Sequence, residues 1–280
     1  MIVTDNFVYI HAPKTGGTFV TAMLEAAAQA TPDFHATDLA GLKHAGVRRI
    51  PEQFRQLPVV TNRRNVFSHY VSRYYYRWWA VDIHVKQKYD LARVKNDYPS
   101  FPDLAFSEYL RFVNHWPYLT QIRPGIRQLL EQRELGFNSW SFARLTQQKP
   151  VEFLRDFDEW TDEQLREHFS TTRFLKTESL NNDLVSLLID SGVSSRNIDF
   201  ILKNKPVLPN PAERNGKRSW LAQITSRLAA FSGKSRGPVQ KKRWQELFTQ
   251  DDIDFVLHRD RLSFRLFPEM LPGGVRAPGK

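Results

Sequence analysis

The 280 residues predict an α/β fold: a central parallel sheet flanked by helices, with a largely helical middle and C-terminal part. Two observations predict it. At 7–30, 57–79 and 173–192, a short apolar run ends in a polar turn and restarts as a helix. Between the second and third of these units, residues 100–170 read as mostly helical and would cover or extend the sheet. With no internal repeat and no low-complexity tract, a single domain over 1–280 is expected.

Each element has a local reason. FVYIHA (7–12) is a short buried-strand candidate, and TFVTAMLEAAAQA, from Thr18, reads as a helix with a threonine cap and an Ala-rich body. LPVVTN (57–62) is the second apolar run. It leads into NVFSHYVSRYYYRWW (65–79), where Val66, Tyr70, Val71, Tyr74 and Trp78 recur at helical spacing. RFLKTESLNNDLVSLLIDSG (173–192) is the third strand–helix pair, with Gly192 placed to cap the helix C-terminus. Prolines, Asn and a basic cluster mark 203–218 as loop, and SGKSRGPVQKKR (232–243) is the segment expected to move most. Residues 244–264 read as one closing amphipathic helix.

Composition narrows the function classes. The 41% apolar and 13% aromatic content is that of a folded globule, and no window approaches the roughly 18 apolar residues of a membrane helix. Asp5 and Asn6 interrupt the start, so a secretory leader is not expected. The absence of cysteine excludes disulfides and thiolate metal sites and suits a reducing compartment. A cytoplasmic location, or a peripheral one at the inner membrane surface, is therefore expected. Forty Lys and Arg against thirty Asp and Glu give a net charge of +10, which favours anionic partners: nucleic acid, a membrane surface, a polyphosphorylated cofactor or an acidic polymer.

The joint FVYIHAPKTGGTFV (7–20) is the most informative stretch. A strand that turns tightly into a helix leaves backbone N–H groups unpaired, and the helix dipole adds about half a positive charge there. Gly16 and Gly17 allow the backbone to curl around an anion, Thr15 and Thr18 add hydroxyl donors, and Lys14 adds a mobile point charge. The nucleoside triphosphate loop G-x-x-x-x-G-K-[ST] is not matched, because the lysine precedes the glycines and no glycine stands five residues before it. That lowers a P-loop kinase or ATPase reading.

HAPKTGGTF (11–19) resembles instead the 5′-phosphosulfate loop of sulfotransferases that use PAPS (3′-phosphoadenosine 5′-phosphosulfate), written P-K-[ST]-G-[GT]-[TS]-[FW]. The histidine two residues before the proline, here His11, is similar to the glycan-modifying branch. A second motif follows LPVVTN in the right order. TNRRNVFSHYVSRYYY resembles the family's 3′-phosphate pattern R-[DN]-P-x-x-x-x-x-S-x-Y, with Arg64, Asn65, Ser72 and Tyr74 in place and Val66 where the family has proline. Arg63 is the alternative to Arg64, although the spacing to Ser72 favours Arg64. A third stretch, KTESLNND (176–183), is similar to the family's E-[DN]-L-x-x-D joint near the adenine.

The resemblance implies a sulfotransferase (P-loop-like) fold and transfer of a sulfuryl group from PAPS to a hydroxyl of a carbohydrate or glycolipid, leaving PAP (adenosine 3′,5′-bisphosphate), with no metal required. It implies that Lys14, Thr15, Gly16, Gly17 and Thr18 hold the 5′-phosphosulfate and that Arg64 and Ser72 hold the 3′-phosphate. Phe19 and Thr177 are expected beside the adenine, and Arg214, Lys217 or Arg218 as a closing phosphate contact. Lys14 is assigned to the bridging oxygen between sulfate and phosphate. His44, in GLKHAGVRRI, is the expected base because a catalytic histidine of the uronyl 2-O-sulfotransferase branch lies about as far before the phosphate-reading arginine. His11 is the alternative base. His35, His69, His84, His115, His168 and His258 lack supporting context. Lys43 is placed to hold an anionic acceptor, and the aromatic runs YYYRWW (74–79) and HVKQKY (84–89) to line an acceptor cleft as well as to pack a core. The competing class is a basic nucleic-acid-binding protein, supported by charge and basic–aromatic interleaving but by no helix-turn-helix, zinc or RNP pattern.

Overall fold

The computed structural model describes residues 1–81, 88–204 and 242–273. Arg214, Lys217, Arg218 and nearly all of the two loops at 203–218 and 232–243 lie outside the described residues, as does most of HVKQKY.

The architecture is α/β, but the sheet is mixed rather than parallel throughout. Its five strands run in the order β3-β1-β2-β4-β5. β1 (Ile2–Thr4) turns back at once into β2 (Val8–Ile10), pairing Ile2 with Tyr9 antiparallel. The reversal is made by Thr4, whose N–H and hydroxyl both donate to Phe7 O while its Oγ1 accepts from Phe7 N–H. The helix α1 (Gly17–Ala30) follows, and β3 (Ala36–Asp38) then adds to the outer edge of β1, again antiparallel. These two additions correct the all-parallel expectation. The three runs read from the sequence form the parallel part, with β4 (Val59–Arg63) between β2 and a fifth strand at Thr172–Lys176. Val8, Tyr9 and Ile10 are all buried, because helices and loops cover both faces of a parallel strand.

Two helix boundaries differ from expectation for identifiable reasons. α1 starts at Gly17 with Gly16 as its cap at φ 88°, so Thr18 sits inside the first turn and caps nothing. Phe19, Val20, Met23, Leu24 and Ala27 form its buried stripe. α2 (Val66–Tyr76) is capped by Asn65, whose side chain accepts from Ser68 N–H, and it ends at Arg77 in the left-handed region instead of running on through Trp79. A short separate helix, Trp78–Val81, follows.

Short helices fill the region between the second and third units, among them α3 (Phe137–Thr146). β5 (Thr172–Lys176) then feeds α4 (Leu180–Asp190), which Gly192 closes as expected. Gly192 N–H bonds Ile189 O and Val193 N–H bonds Leu188 O, a Schellman closure with Gly192 at φ 86°. The closing segment 244–264 is not one helix. It is a turn at Trp244–Glu246 followed by α5 (Gln250–Arg259) and α6 (Arg261–Leu266), broken at Asp260. The Asp260 carboxylate is fully buried and accepts from Tyr70 Oη, Asn138 Nδ2 and Ser139 N–H. The break turns it toward the start of α3.

Two of the buried hydrophobic clusters position the site. On the sheet side, Phe7, Tyr9, Phe19, Leu24, Leu184 and Leu188 pack α1 and α4 onto one face. On the helical side, Phe67 and Tyr70 of α2 pack with Tyr109, Phe112 and Phe264, and each such buried ring contributes about 1.5–3 kcal/mol. α2 leaves the end of β4 but is packed wholly by the helical part, through Val66, Phe67, Tyr70 and Val71.

Candidate functional site

The β2–α1 turn is held from behind by its carbonyls. Ala12 O accepts from Thr15 Oγ1 at 2.8 Å, and Pro13 O from His69 Nε2 at 3.0 Å. Lys14 O accepts from Arg64 Nη1 at 3.0 Å, and Thr15 O from Asn62 Nδ2 at 2.7 Å and Thr177 Oγ1 at 2.8 Å. The N–H groups of Thr15, Gly16, Gly17 and Thr18 meet no acceptor among the described residues. Carbonyls bound inward and amides left open make a nest with its positive ends outward, at the head of a 14-residue helix. Lys14 at φ 65° and Gly16 at φ 88° supply the left-handed bends that turn the peptides this way.

The glycines have a second job that the sequence does not display. A Cβ on Gly17 would lie 2.2 Å from His11 Cδ2, and one on Gly16 would lie 2.5 Å from Leu180 Cδ2. Both therefore let the turn press against its own supports.

Arg64 and Ser72 flank the nest. Desolvation lowers the pKa of Arg64, with Glu178 as a partly compensating charge, and no carboxylate is hydrogen-bonded to it among the described residues. Arg63 is excluded as its substitute: it is paired with Glu269 and lies 4.4 Å from the Phe267 ring centroid. Ser72 stands three residues after His69 and four before Tyr76, and both of these touch the turn. The Ser72 hydroxyl thus lies on the helix face that meets the nest. Lys14 Nζ sits 3.3 Å from the Tyr76 ring centroid, a cation–π contact at the exposed rim, where Tyr76 is 54% exposed.

Two expected adenine neighbours have other roles here. Phe19 is 2% exposed and belongs to the core, so its ring face is not open to a ligand. The Thr177 hydroxyl shares its proton between Thr15 O and Arg63 O, tying the ends of β5 and β4 to the turn. Most of the aromatic run is also core. Tyr74 Oη bonds Leu104 O, Trp79 Nε1 bonds Pro102 O, and both rings pack on Tyr109.

The two candidate bases are adjacent, their rings 4.7 Å apart edge to face. His44 Nδ1 lies 3.2 Å from His11 O. A carbonyl can only accept, so Nδ1 carries the proton and the neutral ring keeps its lone pair on Nε2. Desolvation lowers the His44 pKa, the bond to His11 O opposing it, while the residue remains exposed. His11 is 4% exposed, pressed under Gly17, and burial pushes its pKa down to about 3. Of the two, His44 is the one a solvent-borne group can reach.

Several site residues were missed in the sequence. His69 lines up with Ser72 at i, i+3, a signal that was available once Ser72 was singled out. Asn62 and Glu178 brace the site from β4 and the turn after β5. Among the described residues, no helix is long and apolar enough to cross a membrane, and no group of His, Asp and Glu is placed to hold a metal ion. Comparison with protein-family models, with curated proteins and with solved structures finds no match to this chain.

Proposed function

We propose that the chain is a PAPS-dependent sulfotransferase of P-loop-like fold, moving a sulfuryl group to a hydroxyl of a carbohydrate or glycolipid. The observation that carries this reading is the open amide nest at Thr15–Thr18, with Lys14 on one side and Arg64 and Ser72 on the other. These groups fit a doubly phosphorylated nucleotide: amides and a helix N-terminus for one phosphate, a guanidinium and a hydroxyl for the second. When bound, PAPS supplies an activated sulfuryl whose S–O bond to phosphate breaks as the acceptor oxygen attacks in line.

The chain's own contribution is positioning and charge. The nest holds the 5′-phosphate. Lys14, on its mobile stem, leaves the Tyr76 face to neutralise the bridging oxygen that carries the leaving charge. Arg64, already desolvated, forks onto the 3′-phosphate without having to shed a carboxylate partner. His44 takes the acceptor's proton at Nε2, and its bond to His11 O fixes the tautomer that can do so.

The test is thermal shift and calorimetry on the full chain. PAP is expected to raise the melting temperature far more than AMP or ATP, and Arg64→Ala to weaken PAP binding by about 1.5–3 kcal/mol. Wild-type affinity for PAP in Arg64→Ala, or no affinity in the parent protein, would falsify the reading.

A further inference from the structure

Arg64 stands at a joint that neither the sheet nor the helix holds. The β4–β5 ladder ends at the pairing of Arg63 with Lys176, and α2 begins only at Val66. Among the described residues the Arg64 side chain has one hydrogen bond, to Lys14 O. The residues on either side of it are gripped instead, and by the same short turn. That turn is Pro268–Met270, which follows Phe267 and reaches Arg63 from 206 residues downstream. Arg63 is ion-paired with Glu269 and lies over the Phe267 ring. Phe267 packs against Phe174 of β5, ring centroids 5.1 Å apart. Asn65 Nδ2 donates to Met270 O at 3.2 Å, while Asn65 Oδ1 caps α2 by accepting from Ser68 N–H. The Met270 side chain is buried in one cluster with Val66, Phe67 and Tyr70 of α2. The Arg63 side chain is only 10% exposed, so its pair with Glu269 is sheltered in a way that a surface ion pair is not.

We propose that the turn Phe267–Met270 is a positioning element for the 3′-phosphate contact, with Glu269 acting through Arg63 and Met270 O through Asn65 to aim Arg64. The proposal rests on the sulfotransferase reading. In extended chain successive side chains point to opposite sides. Arg63 and Asn65 both face the turn, so Arg64 between them is sent the other way, toward Lys14 O and the nest. A guanidinium fork rewards a phosphate only in a narrow geometry, and a long side chain with one bond of its own takes that geometry from its backbone. The charge of Glu269 cannot be the useful part. A carboxylate beside an anion site opposes the anion, so electrostatics alone predicts tighter nucleotide binding once it is neutralised. Positioning predicts the opposite sign.

Calorimetry on the full chain tests it with two probes, PAP and AMP, which differ by the 3′-phosphate. Glu269→Gln removes the ion pair, and Asn65→Ser keeps a cap for α2 while removing the donor to Met270 O. Each is expected to weaken PAP binding about fivefold or more and to leave AMP within about twofold. Because Glu269 acts through Arg63, the double variant Arg63→Gln/Glu269→Gln should bind PAP no more weakly than Glu269→Gln alone. The exposed Glu163→Gln, outside the turn, controls for net charge and should not weaken PAP. PAP affinity unchanged or raised in Glu269→Gln, equal losses for PAP and AMP, or additive losses in the double variant overturn the proposal. The Glu269 side chain is 52% exposed, so that variant reports even where Asn65→Ser fails to fold. A parent protein that does not distinguish PAP from AMP removes the donor reading. Hydrogen exchange then decides the brace by itself: the amides of residues 64–68 should exchange about tenfold faster in Glu269→Gln, and unchanged protection overturns it.

Discussion

The two walls of the site are made of different materials. On the sheet side the surface offered to a ligand is main chain: the amides of Thr15–Thr18, turned outward because their carbonyl neighbours are bound from behind. On the other side it is side chain: His44, fixed by its bond to His11 O, and Tyr76, exposed at the rim against Lys14. The first wall is stiff and suits a fixed phosphate geometry. The second can change with one substitution, which is how a transfer enzyme would keep its donor while changing its acceptor.

The largest expected effect sharpens the role of the first wall. Lys14→Ala should lower turnover by about 10²–10³-fold, because it removes charge from the leaving oxygen. PAP affinity should persist in part, since the nest is main chain. Single-turnover transfer of labelled sulfate measures the first quantity, and calorimetry the second. Equal losses in both would mean that Lys14 serves binding and not the chemical step.

Next in size is a substitution behind the second wall. Asp260→Ala strands the Tyr70 hydroxyl, the Asn138 amide and the Ser139 N–H, and should destabilise the fold by about 3 kcal/mol in a denaturant titration. A variant that folds should bind PAP nearly normally, because the nest is held by residues of β4 and α2 and not by Asp260 itself. A large loss of PAP affinity would show instead that Asp260, through Tyr70, sets the placement of α2.

The smallest effect is a slope. Burial pushes His69 down to about 3 from an ordinary 6.5, while its Nε2–H is bonded to Pro13 O. Between these two values the unfolded chain binds a proton that the folded chain refuses. Stability is therefore complete above pH 6.5 and declines as pH falls toward 3, by about 1.4 kcal/mol per pH unit for each such histidine. His11 should add to the slope in the same sense. His69→Gln keeps a donor for Pro13 O and should flatten the slope by one histidine's share, read from denaturant midpoints between pH 6.5 and 4.5. An identical slope would show that His69 is hydrated in the native state.

The same division explains what could be read in the chain. The tight turn into α1 and the three parallel strands were legible because strand, turn and helix follow one another within about fifteen residues and carry their own punctuation. β1 and β3 were not: IVT is too short for a pattern, and ATD is a polar edge whose pairing is set by its neighbour. The Thr18 cap failed because a left-handed Gly16 occupies the capping position one residue before α1. Phe19 failed because its helical phase, with Val20 and Met23, points to the sheet and not to the opening. The placement of α3 was invisible for a different reason. It depends on docking against Asp260 and Gly46, contacts between residues far apart in sequence.

Arg63 and Arg64 are chain neighbours with opposite fates, one committed to Glu269 and Phe267, the other to the turn. Which guanidinium goes where is decided by the pairing of Val59 with Val8 and Thr172. Sliding that strand by one position would exchange the pair and put a different guanidinium beside the turn. The alignment of three short strands thus decides which arginine the proposed nucleotide would meet.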